Sequence, residues 1–180
     1  DSYTVVQDFK KKASGFWLKF PNKYMHGVKN LNSTGDYVFN SRYVKNSFIA
    51  TESEYCKYCM WMIIGGNKDC YDWTQFGENG QLVYETAVSG KNINNVIGGF
   101  RVVEGHDIAY SMSCYSNCRN LFGCVGLRGK QYCIFNKQYT KDEYEALVPK
   151  IIDHMNKMPY RDVKERTYGY GDYFPTEISQ

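Results

Sequence analysis

The sequence is short of several things, and each shortage closes off a class of protein. No apolar run approaches the roughly 20 residues a membrane-spanning helix needs, so no membrane partner is expected. The net charge is only +3, too weak to argue for nucleic acid by itself. There are 4 prolines against 17 Tyr and 10 Phe, a mix that favours strands over helices. Paired cysteines are lacking too: 7 in 180 residues is an odd number and far too sparse for a disulfide miniprotein. Mostly reduced thiols point to a cytoplasmic setting. No signal-peptide pattern is present, and the chain opens on Asp1 without Met, so it reads as an excised or processed fragment. What is present is an apolar fraction of 43%, which excludes general disorder and fits one domain or two small ones.

The ends read as helical or extended. Over residues 1–34, Val5, Val6 and Phe9 with Lys10, Lys11 and Lys12 suggest a weak helix and a connection, broken by Ser14-Gly15 and ended by Pro21. Residues 140–158 give the clearest helix. Thr140 and Glu143 form a capping box. Tyr144, Leu147, Val148, Ile151, Ile152 and Met155 then make one apolar face, and Pro149 interrupts the run. Residues 159–180, with Tyr160, Tyr168, Tyr170, Tyr173, Phe174 and Pro175, have no period and read as an aromatic strap.

The middle, 35–139, repeats. Large apolar residues recur at Phe48, Met60, Tyr71, Tyr84, Val96, Tyr110, Phe122 and Ile134, in steps of 12, 11, 13, 12, 14, 12 and 12. Polar residues such as Lys45, Lys57 and Lys68 lie three positions earlier, an odd offset that puts the two columns on opposite strand faces. Small residues (Ser47, Cys59, Cys70, Val83, Asn95, Ala109, Leu121, Cys133) share a third place. Gly and Asn punctuate between units. A short strand and turn every twelve residues means a stacked repeat. The reading is a mainly β fold: a short parallel β-helix whose twelve-residue units are half-coils, about 20 Å long. The amphipathic helix 140–158 caps its C-terminal end and a weaker N-terminal helix precedes it. An antiparallel sandwich is the runner-up; it calls for two-residue hairpins at many junctions.

Several stretches carry a family resemblance: Lys19-Phe20-Pro21-Asn22-Lys23-Tyr24, Asn120-Leu121-Phe122-Gly123-Cys124-Val125-Gly126-Leu127-Arg128 and Lys130-Gln131-Tyr132-Cys133-Ile134-Phe135-Asn136-Lys137-Gln138-Tyr139. Tyr144-Glu145, Val148-Pro149-Lys150-Ile151-Ile152 and Tyr173-Phe174-Pro175-Thr176-Glu177 belong with them. Through these stretches most of the chain resembles a family of uncharacterised Cys-, Asn- and Tyr-rich repeat proteins from uncultivated candidate-phyla bacteria. The resemblance implies that this chain is the C-terminal half of a longer protein. The family has no established activity, so it assigns no functional residue.

Chemistry-bearing residues are scattered. Cys56-x-x-Cys59 is half of a zinc knuckle, but no second pair follows; Cys114, Cys118 and Cys124 are spaced by four and six, so zinc, which would use Cys56 and Cys59, is not expected. The histidines, His26, His106 and His154, have no nucleophile beside them in sequence. Of the acidic residues Asp69, Asp72, Glu85, Glu104 and Asp107, Asp72 and Glu85 share a repeat place, yet on successive half-coils they fall on opposite sides, so no carboxylate pair is expected. Tyr43, Tyr55, Tyr58, Trp61 and Trp73 beside the lysine column form a candidate ligand surface for sugar rings or bases. No catalytic residue is assigned. The expectation is a non-catalytic interaction or scaffold module of a larger protein. Its partner is a protein or a polysaccharide rather than nucleic acid. A carbohydrate-binding or polysaccharide-active β-helix is the first alternative, a metal or redox cysteine module the second.

Overall fold

The computed structural model of the protein describes residues 2–21 and 23–172; Tyr173, Phe174 and Pro175 of the tail lie outside them. A helix α1 (Tyr3–Trp17) leads. A parallel β-solenoid of about eight turns follows, then helix α2 (Lys141–Lys157) and a hairpin pairing Tyr160–Arg161 with Thr167–Tyr168. Solenoid pairing is parallel from Gly27↔Val38 to Leu121↔Cys133. The parallel β-helix is therefore the fold. Its ladder begins at Gly27, inside the stretch read from sequence as N-terminal connection.

The coil is half the expected length. The twelve-residue unit is a whole turn: Phe48 pairs with Met60 and Val96 with Ile108 on the next turn. The reason is a backbone period of three where a strand period of two was assumed. Tyr37, Asn40, Tyr43, Asn46, Ile49, Glu52, Tyr55, Tyr58 and Trp61 all have φ between 45° and 63°. Each such left-handed residue turns a corner, and the residue after it points inward. Val38, Ser41, Val44, Ser47, Ala50, Ser53, Cys56, Cys59 and Met62 are accordingly all buried. Four three-residue sides close a square coil. At about 4.8 Å per turn the barrel is roughly 40 Å long, twice the expectation.

With a period of three, an offset of three keeps a residue on the same surface. Lys45 and Phe48 both face outward. The large apolar residues are not one core column either. Phe48 and Met60 project from one wall, Tyr71, Tyr84, Phe122 and Ile134 from another, and Val96 is inside. The supposed small-residue place divides likewise: Ser47 and Cys59 stack at one inner corner, Cys70, Val83, Leu121 and Cys133 at the next, while Asn95 and Ala109 face out.

The interior is one side chain wide, which selects its residues. Val44, Cys56, Cys70, Val83, Val96, Ile108, Leu121 and Cys133 form the first inner column. Trp73, fully buried, fills the square by itself: a Cβ on Gly80 would run into its ring. Inward serines have a second task. Their backbone neighbours one turn on carry N–H groups that point into the barrel. Ser41 Oγ accepts from Ser53 N at 3.1 Å, Ser47 Oγ from Cys59 N at 3.1 Å, Ser89 Oγ from Val102 N at 2.9 Å and Ser111 Oγ from Cys124 N at 3.0 Å. Each hydroxyl also donates to the carbonyl two residues back, as Ser89 does to Ala87 O at 2.9 Å. Side chains thus satisfy buried donors that would otherwise be orphans.

The helix α2 carries the expected capping box, with Thr140 N donating to Glu143 Oε2 at 2.9 Å and Glu143 N to Thr140 Oγ1 at 3.3 Å, and it runs through Pro149. It lies along the flank of the last turns, over Ala109, Phe122 and Ile134. The end of the ladder is covered by Lys137–Gln138, which folds back antiparallel on the last strand through a turn at Phe135–Asn136. The helix α1 runs past Ser14-Gly15 to Trp17, and none of its residues is buried. The stretch after α2, read as an extended strap, is partly hairpin: Asp162 ties it by accepting from Lys164 N, Arg166 N and Nε, and Tyr168 OH.

Two substitutions test this register. Phe122, 4% exposed under α2, and Phe48, 48% exposed, respond differently: Phe122→Ala costs about 3–5 kcal/mol, whereas Phe48→Ala stays within about 1 kcal/mol. Equal losses in urea midpoint would return both to one core column. Ser89→Ala strands the Val102 N–H and costs about 1–3 kcal/mol; an unchanged midpoint would mean that this bond is dispensable.

Candidate interaction surface

The square coil has four outer walls, and each is read from one ladder. The first is polar: Arg42, Glu54, Lys68, Gln81, Asn94, His106, Arg119 and Gln131 stack turn on turn. Next comes Lys45, Lys57, Tyr71, Tyr84, Ile97, Ala109, Phe122 and Ile134, which turns apolar toward the C-terminal end, where α2 covers it. The third is apolar along most of its length: Asp36, Phe48, Met60, Thr74, Ala87, Phe100, Met112 and Val125. The fourth is mixed, with Ile64, Val103, Tyr115 and Arg128 among its members.

On the helix-bearing wall, α2 rests Tyr144, Leu147, Val148, Ile151, Ile152 and Met155 on the solenoid. A cleft of about 650 Å³ runs along it, lined by Tyr110, Phe122, Phe135, Leu147, Ile151 and Met155 with exposed Lys150 and His154. Beyond Gly98 on the same corner stand Glu85 and Asp72. Sequence reasoning put these two on opposite sides; with whole coils of twelve to fourteen residues they are neighbours, because Tyr71 pairs with Tyr84 directly before them. Burial raises both carboxyls, and the charges of Asp72 and Asp172 add to the rise at Glu85. Burial and the Glu85 charge push the Tyr84 phenol up to about 12.

The third wall has no such cover among the described residues. Phe48, Met60, Trp61, Phe100, Met112 and Val125 are each between 43% and 51% exposed. A depression of about 400 Å³ opens at its edge, lined by Trp61, Ile63, Gln75, Phe76, Val88, Arg101, Val103 and Tyr115. Sequence reasoning missed this wall: Phe48 and Met60, read with a period of two, were assigned to the core, and Phe100, Met112 and Val125 were not singled out.

The aromatic residues singled out from sequence do not share a surface. Tyr43 and Tyr55 lie on the polar wall, stacked on each other at 5.0 Å and 5°, so that each ring occupies a face of the other. Tyr58 sits under Lys57 Nζ at 5.1 Å on the helix-bearing wall, Trp61 on the apolar wall, and Trp73 inside the barrel. The lysine stripe also divides: Lys45 and Lys57 share a ladder, whereas Lys68 pairs with Glu54 on the polar wall. Of the histidines, His26 Nδ1 meets Asp36 Oδ1 at 3.0 Å. The N–H of His26 donating to Asp36 lowers that carboxyl. His106 is in the polar ladder and His154 on α2.

All seven cysteines are buried free thiols. They bond to carbonyls two or three residues back, as Cys56 does to Glu54 O at 3.2 Å and Cys118 to Tyr115 O at 3.2 Å. At Cys56 the Cys59 sulfur pulls the thiol down, but contact with Cys70 and burial outweigh it and push the thiol up to about 12. The Cys56 sulfur and burial raise Cys59 as well, and burial lifts Cys114 to about 11. Among the described residues no group of three or more His, Cys, Asp and Glu is placed to hold a metal ion, and no helix is long and apolar enough to cross a membrane. No family model, curated protein or solved structure matches the chain.

The thiols make alkaline stability a test. Unfolded thiols lose their protons from about pH 8.5, while the folded chain holds those of Cys56 to about 12 and Cys114 to about 11. The unfolded state then binds fewer protons, so the stabilisation present below about pH 8.5 is lost as pH rises through the folded values. The urea midpoint is expected to fall steadily between pH 8 and pH 11, with all seven thiols inert to iodoacetamide at pH 8 until the chain is unfolded. Thiols that alkylate in the native state at pH 8 would contradict their burial.

Proposed function

We propose that this chain is a non-catalytic interaction module, and that its apolar wall seats an amphipathic helix of a protein partner. The observation that carries the reading is internal to the molecule. Two walls of the same square barrel turn apolar. One of them is covered by α2, an amphipathic helix laid along the turns, and the other presents the same kind of surface with no helix on it among the described residues. Large contiguous apolar patches are uncommon on monomers and mark interaction sites. The composition of this one suits the purpose: aromatics and methionine are enriched at interface centres, and Met60 and Met112 adapt to the partner's shape. Helix-in-groove recognition supplies the physical template.

The polysaccharide alternative draws less support, since the aromatic residues that suggested it fall on different walls. The metal or redox alternative needs thiols that reach solvent or a shared ligand, and all seven are buried.

The test is direct titration of the full chain with a fluorescently labelled leucine- and lysine-based amphipathic helical peptide. Saturable binding is expected, weakened at least tenfold by Phe100→Glu with Met112→Glu and unchanged by Gln81→Glu on the polar wall. Melting temperatures check that the variants fold. Binding that ignores the wall substitutions would remove the wall as the seat, and a soluble polysaccharide that binds instead would put the alternative first.

A further inference from the structure

Two apolar surfaces are exposed in the structure, the third wall and a stripe on α1. The helix α1 carries an apolar stripe: Val5, Val6, Phe9 and Phe16, between 46% and 71% exposed, with half-buried Ala13 among them. These positions fall on one face at 3.6 residues per turn, and Lys10 and Lys12 sit on its two flanks. No residue of α1 is buried. The apolar wall is the complementary half. We infer that the occupant of the wall is α1 of a second copy of this chain, the two copies exchanging their N-terminal helices to form a symmetric dimer. This rests on the reading of the wall as a helix seat and names its partner.

Four features support the pairing. Length agrees: a helix of 15 residues is about 22 Å long, and the wall from Phe48 to Val125 runs six turns, about 29 Å. Charge agrees along one edge of the wall. Asp72 and Glu85 stand on the corner next to Thr74 and Ala87 of the wall, so a lysine on the flank of a docked α1 meets carboxylates there. Those carboxyls are raised by burial, and a neighbouring ammonium relieves that condition. Precedent is supplied by α2, which docks a comparable helix on the adjacent wall. Symmetry completes the argument: each copy has one helix and one wall, so exchange satisfies both at once in a closed two-fold arrangement with no surplus surface to propagate.

The experiment mixes two variants of the full chain, Phe9→Cys in one and Phe100→Cys in the other, under mild oxidation, alongside light-scattering mass measurement of the unmodified chain over a hundredfold range of concentration. The expected result is a dimer mass, a mixed disulfide joining the two variants, and conversion to monomer by Phe9→Asp with no loss of melting temperature. A chain that stays monomeric throughout and forms no mixed disulfide overturns the exchange, as does a Phe9→Cys/Phe100→Cys chain that closes within one molecule. A synthetic α1 peptide separates this failure from failure of the wall itself. If the peptide binds the monomeric chain and Phe100→Glu abolishes binding, the helix seat stands and only the exchange falls. If neither the α1 peptide nor the leucine- and lysine-based peptide binds, both readings fall.

Discussion

Everything in this molecule depends on one backbone choice, a left-handed residue at every third position. An L-residue in that conformation costs on the order of 1–2 kcal/mol against the right-handed alternative, and here most such positions are not glycine: Tyr43, Ile49, Glu52, Trp61 and Val88 all adopt it. What holds them there is the ladder. Each corner places its neighbours' N–H and C=O groups in line with the turn above and the turn below, so a single turn is strained and a stack of eight is mutually supporting. The fold is cooperative along its axis in the manner of any solenoid, but with an unusually small unit.

The same choice explains the interior. Four inward residues per turn leave a cavity about one side chain wide, so large residues are accommodated by small ones across the square. Trp73 faces Gly80, and Gly105 yields to Ile108. The inward N–H groups cannot reach water, and serine is the smallest side chain that accepts from the turn above while donating to its own strand. Cysteine fits the same space and donates to the same carbonyls, as Cys70 does to Lys68 O at 3.1 Å. Seven buried thiols are therefore accounted for by packing. The raised proton affinity of Cys56, Cys59, Cys114, Cys124 and Cys133 is a consequence of that packing, because a thiolate in this barrel would have no water to solvate it.

How much of this was legible beforehand follows from the same geometry. The twelve-residue period, the parallel stacking and the capping box at Thr140 could be read directly, because each has a local signature. The square could not. Its signature is a three-residue period in backbone handedness, and the corner residues are Tyr, Asn, Glu, Ile and Trp rather than a column of glycines, so composition conceals it. Once a strand period of two was assumed, Lys45 and Phe48 were forced to opposite faces and the outward apolar residues into a core. Asp72 and Glu85 were separated by the same error, since a unit taken for half a coil puts neighbours on opposite sides. The apolar wall was lost for that reason too: Phe48 and Met60 were seen, and placed on the inside.

A solenoid of this kind makes four surfaces that differ only in what is written at eight equivalent positions, which bears on how it works. The polar wall alternates Arg42, Glu54 and Lys68 up its first turns and is solvated. The helix-bearing wall is apolar where α2 lies, over Ala109, Phe122 and Ile134, and charged or aromatic where it does not, at Lys45, Lys57, Tyr71 and Tyr84. Apolar residues on that wall thus track the presence of a covering helix turn by turn. On the third wall they begin at Phe48 and continue to Val125, interrupted only by Thr74 and the small Ala87. If the third wall obeys the rule of its neighbour, a surface of that length calls for a covering helix, and among the described residues α1 is the helix whose apolar stripe, Val5, Val6, Phe9 and Phe16, stays exposed.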